Sequence, residues 1–242
     1  MRWSKRIRFG QHMLVDFNII AKIIEVSEIS KDEIVCEAGT GDGVLTHELC
    51  KNAKSVISFE IDNSLFTKAI KRCHSLSNLK LVNVDIFKIY NLDFDIFVSN
   101  LPYSKSKIAF QWLALQKFRR AIIMIQKEFA DKLQALPGQQ NYRAISVITQ
   151  HCFNIERLFI VDKKSFDPEP SIESVVIRLI PKYPGLTRQT IKNLNFLFSR
   201  RNKKAGSIPR DFRFKANFDD TRIDRLNTKE LIELAESIEI KN

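Results

Sequence analysis

A tetrapeptide near the middle of the chain carries residue types that could hold an amino group. Asn100 offers a neutral side-chain oxygen, and Leu101 offers a backbone oxygen whose direction is restricted by the proline after it. Two such acceptors on an aromatic amine favour a pyramidal nitrogen whose lone pair can face an electrophile. Asn-x-Pro is also a common turn, so a purely structural role stays open at this point. We predict that the reaction is carried by Asn100, Leu101, Pro102 and Tyr103, with the tyrosine ring stacking on a base.

A glycine-rich segment lies upstream and reads Glu37-Ala-Gly39-Thr-Gly41-Asp-Gly43. Glycines allow a sharp turn from strand to helix and let a ligand approach the backbone closely. The dinucleotide-binding spacing GxGxxG would require glycine at position 44, where this chain has Val44. The GxGxG form after an acid is typical of class I methyltransferases, although such a loop can also be a simple turn.

Two acidic residues follow the next two predicted strands. Glu60 could accept hydrogen bonds from both hydroxyl groups of a ribose, and Asp85 could accept one from an adenine amino group. Each residue taken singly could equally be a helix cap. Because the ligands of open parallel sheets bind at the carboxyl ends of the strands, the glycine loop and both acids are expected to line one crevice.

The elements that must position these residues alternate regularly through the first 180 residues. Buried strands are predicted at 34–38, 55–61, 79–85, 95–100 and 121–126, separated by helical patterns, and this order implies a mostly parallel sheet covered on both faces. Strand-like runs at 157–162 and 174–180 predict an antiparallel hairpin that closes the sheet as its sixth and seventh strands. We predict an α/β, Rossmann-like catalytic domain at 1–181 and a small basic helical region at 182–242.

The composition excludes several classes of protein. At 44% hydrophobic and 28% charged residues, the chain is typical of globular proteins and has no apolar stretch long enough to span a membrane. The N-terminal residues do not have the pattern of a secretory signal. No CxxC pair or histidine spacing suggests zinc, and no disulfide framework is indicated, so we expect no metal and a cytoplasmic location. The four cysteines are Cys36, Cys50, Cys73 and Cys152.

Positive charge is concentrated in two segments. Residues 181–215 carry ten Lys or Arg against one Asp, and residues 1–10 carry four Lys or Arg and no acid, in a chain whose net charge is +11. Either segment alone could be a solvated surface. Two basic segments beside a nearly neutral body favour a polyanionic partner such as nucleic acid. We predict that RNA is bound by Arg200, Arg201, Lys203 and Lys204.

Seven stretches in order resemble the ribosomal RNA adenine dimethyltransferases, the family of KsgA-type small-subunit and Erm-type large-subunit enzymes. They are GQHMLVD (10–16), EAGTGDGVLT (37–46), FEID (59–62), Asp85, NLPY (100–103), QKEFADKL (126–133) and FDPEPSIESVVIRL (166–179), with a weaker match at LFSRRNKK (197–204). The resemblance implies S-adenosylmethionine as cofactor. It implies a target adenine held by Asn100, Tyr103 and Phe166. The cofactor residues it implies, with Gly41 from the glycine loop, are His12, Leu14, Gly39, Gly41, Glu60, Asp85 and Asn100.

Three features depart from the usual family pattern. Ser104-Lys105-Ser106 follows NLPY where Asn-Ile-Ser is common, which adds a cation beside the pocket. His12 replaces the asparagine of bacterial members. The region after Pro181 is shorter than in typical small-subunit enzymes.

We expect a monomeric enzyme that dimethylates adjacent adenosines near the 3′ end of small-subunit ribosomal RNA during ribosome biogenesis. One alternative keeps the chemistry but changes the substrate to large-subunit ribosomal RNA, DNA adenine or protein glutamine. Another is a non-catalytic assembly or transcription factor that binds nucleic acid with the same fold. The combination of Asn100, Tyr103, Glu60 and the glycine loop argues against this last alternative, because a protein that only binds RNA needs none of them together.

Overall fold

The large sheet of the protein has seven strands, in a computed structural model that describes residues 12–182, 185–207 and 220–238. Its strands are β2 (Ile34–Ala38), β3 (Ser55–Phe59), β4 (Leu79–Val82), β5 (Ile96–Asn100), β6 (Arg120–Gln126), β7 (Phe153–Val161) and β9 (Ser174–Pro181). Two shorter strands, β1 (Met13–Leu14) and β8 (Phe166–Asp167), pair antiparallel with each other.

The order of the strands in the large sheet is β4-β3-β2-β5-β6-β9-β7. The neighbours from β4 to β6 are parallel, whereas β9 runs antiparallel to β6. In β2 and β5 nearly every residue is buried, so both faces of the sheet are covered. The predicted mostly parallel seven-stranded α/β sheet is confirmed.

Helices begin where the sequence supplies a cap. Asp16 accepts hydrogen bonds from two backbone N–H groups at the start of α1 (Phe17–Ser27), and Asp62 does the same for α3 (Asn63–Cys73). Between them, α2 (Val44–Asn52) begins directly after the glycine loop. The remaining helices are α4 (Ser106–Leu113), α5 (Lys127–Leu133), α6 (Ala144–Cys152), α7 (Arg188–Ser199) and α8 (Thr228–Ser237).

Backbone contacts divide the chain into two compact units. The first takes in the described residues up to Ala109, with Gln116–Lys127 and Ile155–Pro181, and holds most of the sheet. The second takes in Phe110–Leu115, Glu128–Asn154 and the described residues from Lys182 onward, where α6, α7 and α8 pack together. The domain boundary after residue 181 stays a prediction, since the second unit draws on segments before it. Within the described ranges, no helix is long and apolar enough to cross a membrane.

Candidate active site

Two adjoining cavities lie where β2, β3 and β5 end. Their volumes are about 660 and 630 Å³, and they share Gly39, Glu60, Leu101 and Pro102 as lining residues. The strand order reverses here, between β2 and β5, which is the position at which open α/β sheets bind ligands. We call the two cavities together the cleft.

The glycine loop lies directly against the tetrapeptide that was predicted to carry the reaction. Gly39, Gly41 and Gly43 have φ values of +82°, +60° and +88°, a backbone conformation that favours glycine. A Cβ atom on Gly39 would lie 3.8 Å from Cδ of Pro102 and 3.9 Å from the backbone oxygen of Asn100. The loop therefore leaves room for a ligand to reach both segments.

Asn100 is the last residue of β5, and a distant backbone group sets the direction of its amide. The Nδ2 group donates to the backbone oxygen of His12 at 3.4 Å. The Oδ1 atom is thereby left to accept, and among the described residues no group donates to it or to the backbone oxygen of Leu101. Both predicted acceptors are thus available beside the glycine loop.

The ring of Tyr103 contacts two side chains that are distant in the sequence. Its hydroxyl group lies 2.9 Å from Oγ of Ser174, and its ring centroid lies 5.2 Å from that of His12. Burial raises the pKa of the Tyr103 hydroxyl, while the bond to Ser174 acts in the opposite direction. The His12 ring is itself held by a bond between Nδ1 and the backbone oxygen of Pro168 at 2.6 Å.

Glu60 borders both cavities, and the backbone orients its carboxylate. Its two oxygens accept from the N–H groups of Gly41 at 2.9 Å and Asp62 at 2.8 Å. Burial raises its pKa. A carboxylate has about four acceptor positions, so capacity remains for a ribose hydroxyl group at the junction of the cavities.

Asp85 lies in the second cavity and also caps the short 3-10 turn Ile86–Lys88. One carboxylate oxygen accepts from the N–H group of Phe87 at 3.0 Å, while the other lies 3.8 Å from Nζ of Lys105. The predicted cation beside the pocket is therefore paired with the acid that was assigned to an adenine amino group. Asp85 can both cap the turn and accept from a ligand, because its two carboxylate oxygens face different groups.

Glu37 lies in β2, directly before the glycine loop, and its role was not predicted. It is 1% exposed, its Oε2 atom accepts from the hydroxyl groups of Thr46 and Ser58 at 2.6 Å each, and its Oε1 atom has no partner among the described residues. Burial raises its pKa to about 7, and the charge of Glu60 adds to this. An unpartnered acceptor that lines the first cavity fits a cationic group such as the ammonium of a bound amino acid.

The acceptor groups of the cleft fit S-adenosylmethionine, which has a ribose, an adenine and an ammonium group. In such a complex Glu60 would accept from the ribose, Asp85 from the adenine amino group and Glu37 from the ammonium group. The first cavity is also lined by His12, Leu14, Gly39, Gly41 and Asn100. Every predicted cofactor residue thus borders the cleft.

Phe166 is not brought to the cleft. Its side chain is 4% exposed and packs in the hydrophobic core with Leu14 and Ile20, and it borders neither cavity. Its pairing with Leu14 in the β1–β8 sheet explains this position. Its role as a second aromatic wall stays a prediction.

The predicted RNA-binding residues lie in the second unit at the end of α7. Arg200 is exposed and lies over the ring of Phe196 at 4.3 Å, while Nη1 of Arg201 donates to the backbone oxygen of Gln140 at 3.0 Å. Lys203 is exposed, and Lys204 pairs with Asp220 at 2.9 Å. The other basic residues of the two charged segments that fall outside the described ranges are Arg2, Lys5, Arg6, Arg8, Arg210, Arg213 and Lys215.

The described parts of the chain contain neither a metal site nor a disulfide bond. No group of three or more His, Cys, Asp or Glu residues in these ranges is arranged to hold a metal ion. All four cysteines are buried with free thiol groups.

The fold and the cleft define a class I methyltransferase that uses S-adenosylmethionine. The sequence model of the family described as ribosomal RNA adenine dimethylase matches residues 2–234. The chain belongs to this family, whose members are S-adenosylmethionine-dependent adenine dimethyltransferases.

The chain is also similar to individual proteins whose names agree with this family. A probable ribosomal RNA small subunit methyltransferase A of Pyrococcus abyssi is 37% identical over 176 residues, which cover 72% of this chain and 65% of that protein. A ribosomal RNA small subunit methyltransferase A of Thermotoga maritima is 33% identical over 94% of this chain and 83% of that protein. The crystal structure of a dimethyladenosine transferase from Plasmodium falciparum superposes with a TM-score of 0.75 at 28% identity, over 92% of this chain and 96% of that one.

Proposed function

We propose that this protein dimethylates the N6 amino groups of adjacent adenosines near the 3′ end of small-subunit ribosomal RNA during ribosome biogenesis. The proposal depends on the Asn100 amide, whose Nδ2 group is bound to the His12 carbonyl so that Oδ1 is left to accept from a target beside the glycine loop. The names of the relatives from Pyrococcus abyssi and Thermotoga maritima favour the small subunit over the large one.

The reaction needs acceptors and positioning rather than a strong base. The Oδ1 atom of Asn100 and the backbone oxygen of Leu101 accept the two hydrogens of the amino group, which draws the nitrogen toward a pyramidal shape. When bound, S-adenosylmethionine supplies an electrophilic methyl group. Tyr103 stacks on the base and holds it in line, so most of the rate enhancement comes from proximity and electrostatics. The proton of the alkylated amine is acidic and leaves to water.

Access to a paired adenine requires that the nucleotide be turned out of its helix. Arg200, Arg201, Lys203 and Lys204 would supply phosphate contacts that do not depend on the base sequence, so they position the RNA rather than select the target. We expect the protein to act as a monomer in the cytoplasm, on the small subunit or its precursor.

The decisive experiment supplies purified protein and labelled S-adenosylmethionine with small-subunit particles, free ribosomal RNAs of both subunits, or DNA, and maps the labelled nucleosides. Dimethyladenosine confined to small-subunit RNA is expected. Asn100→Ala should lower transfer by about 100- to 1000-fold, by analogy with the loss of one group that stabilises a transition state. Asn18→Ala, which alters an exposed asparagine on α1, should retain wild-type transfer.

Other outcomes of this assay point to the alternatives. Transfer only to large-subunit RNA would indicate an Erm-type enzyme, and transfer only to DNA would indicate a DNA adenine methyltransferase. RNA binding without transfer to any substrate would indicate an assembly factor.

The basic residues are tested by charge reversal at Arg200, Arg201, Lys203 and Lys204 together. RNA affinity should fall, and the slope of log affinity against log salt should shrink by roughly 0.7–0.9 for each phosphate that the variant no longer neutralises. Affinity for S-adenosylmethionine should remain unchanged. Reversal of Lys68 and Lys71 on α3 is the control, and an unaltered salt slope in the cluster variant would refute the assignment.

A further inference from the structure

A pair of hydroxyl groups lies at the far end of the Tyr103 ring. The phenolic oxygen is 2.9 Å from Oγ of Ser174, a residue with no exposed surface. Ser174 is the first residue of β9 and follows the loop that contains Phe166 and Pro168. The hydroxyl of Ser174 therefore belongs to the sheet, whereas the tyrosine belongs to the turn that follows β5.

The backbone alone does not determine where the Tyr103 ring lies. The residue begins a single 3-10 turn, Tyr103–Lys105, which is closed by a bond from the Lys105 N–H to the Pro102 oxygen at 2.8 Å. Its side chain still has two rotatable bonds, and the ring is only half-buried. A polar contact at the tip of the ring removes this freedom, because both ends of the side chain are then held.

The contact ties the ring to the same sheet that holds the acceptors. In the sheet, Asn100 at the end of β5 lies opposite Met124 of β6, and Ser174 of β9 lies opposite Gln126 of β6. Strand β6 thus pairs with both neighbours and sets the spacing between the Asn100 amide and the anchor of the Tyr103 ring. A stacking surface that must meet a base held by Asn100 benefits from such a rigid reference.

We infer that Ser174 is a positioning residue of the methyltransferase reaction, whose hydroxyl group fixes the Tyr103 ring at the orientation in which the target adenine stacks on it beside Asn100. The inference rests on the proposed function. Ser174 touches neither the base nor the cofactor in this scheme and acts through Tyr103 alone.

Loss of the Ser174 hydroxyl group should change the orientation of the Tyr103 ring. In Ser174→Ala the half-buried phenol loses its partner, and the ring rotates to satisfy its hydroxyl with water. The base then stacks at a poorer angle, and misplacement on the scale of 1 Å costs up to about 100-fold in rate. Ser174 itself borders neither cavity and reaches the first one through Tyr103, so cofactor affinity should change little.

The test compares Ser174→Ala, Ser174→Thr, Tyr103→Phe and the double variant Ser174→Ala/Tyr103→Phe. Ser106→Ala is the matched control, because Ser106 is also a buried serine close to Tyr103 but its Oγ atom has no partner among the described residues. Each variant is measured for kcat and KM with small-subunit RNA, for the dissociation constant of S-adenosylhomocysteine and for thermal stability.

Ser174→Ala should lower kcat/KM for RNA by about tenfold, given a positioning error smaller than about 1 Å. Ser174→Thr should restore it, and Ser106→Ala should match the wild type. Tyr103→Phe removes the same hydrogen bond, so addition of Ser174→Ala to it should cause no further loss. The cofactor dissociation constant should stay within about twofold throughout.

Additive losses in the double variant would overturn the inference, because two independent defects would then be at work. A fall in cofactor affinity that parallels the fall in kcat would do the same, since it would indicate general damage to the cleft. If the wild type methylates no RNA at all, the proposed function fails and the inference fails with it. If the wild type is active and Ser174→Ala is equally active, only the inference fails.

Discussion

The buried carboxyl group of Glu37 should make the stability of the free protein depend on pH. Burial raises its pKa from 4.5 to about 7. Between these values the unfolded chain carries an ionised Glu37 while the folded protein keeps it protonated, so the folded state binds more protons and its stability falls as pH rises. The contribution is fully present below pH 4.5 and is lost by the time the pH has passed about 7.

The size of the change in stability follows from the shift in the pKa of Glu37. At about 1.4 kcal/mol per pKa unit, the whole change amounts to roughly 3 kcal/mol, and about 2–3 kcal/mol of it falls between pH 5 and 8. Glu37→Gln removes the titration while it keeps the size of the side chain and an oxygen for the hydroxyl groups of Thr46 and Ser58. The variant should therefore be close to the wild type at pH 5 and more stable than it at pH 8.

The assay is urea unfolding of the cofactor-free protein at pH 5, 6, 7 and 8, with Glu48→Gln as control because Glu48 is a partly exposed acid on α2. The difference in unfolding free energy between Glu37→Gln and the wild type should grow over this range and level off above pH 7. A constant difference across the range would contradict the assignment of a buried, protonated Glu37. The same variant should bind S-adenosylmethionine more weakly, because it lacks the charge that faces the ammonium group.

Two further predictions concern ion pairs in the first unit. Lys105→Met should weaken S-adenosylmethionine binding by about two- to fivefold without a change in kcat. The effect is small because a partly exposed ion pair, such as that of Lys105 with Asp85, is worth less than about 1 kcal/mol. Calorimetry would test this, with Lys107→Met as an exposed control. Arg120→Ala should destabilise the protein by about 1–3 kcal/mol in urea unfolding, because the buried carboxylate of Glu33 loses one of its two arginine partners. The Arg119 guanidinium and the Ser30 N–H group still bind Glu33 in this variant.

The regular part of the fold could be predicted because its signals are local. Capping residues, glycines and runs of β-branched side chains mark where each element begins and ends, and the predicted strands and helices around the cleft agree with the structure to within a few residues. Helix α6 had no such signal. Residues 144–149 are all buried, so the segment lacks the polar face that makes a helix recognisable in a sequence.

Short strands that pair with distant segments could not be predicted from the sequence either. The strands β1 and β8 have two residues each, too few for a period to be visible, and their partners are about 150 residues apart. Their pairing draws Phe166 into the core with Leu14. This pairing explains why Phe166 is buried in this structure, while its role as an aromatic wall stays a prediction.

The sequence by itself determined which residues stand at the ends of parallel strands, and strand direction then required that the glycine loop, Glu60, Asp85 and Asn100 meet at one edge of the sheet. Only the tertiary structure decided how those groups are oriented and charged. The direction of the Asn100 amide depends on a carbonyl 88 residues away, and the Tyr103 ring depends on a hydroxyl 71 residues away. The protonation of Glu37 was also decided by the tertiary structure, because it is set by burial of the carboxyl group. Burial depends on all neighbours in space, and no periodic pattern in the sequence reveals it.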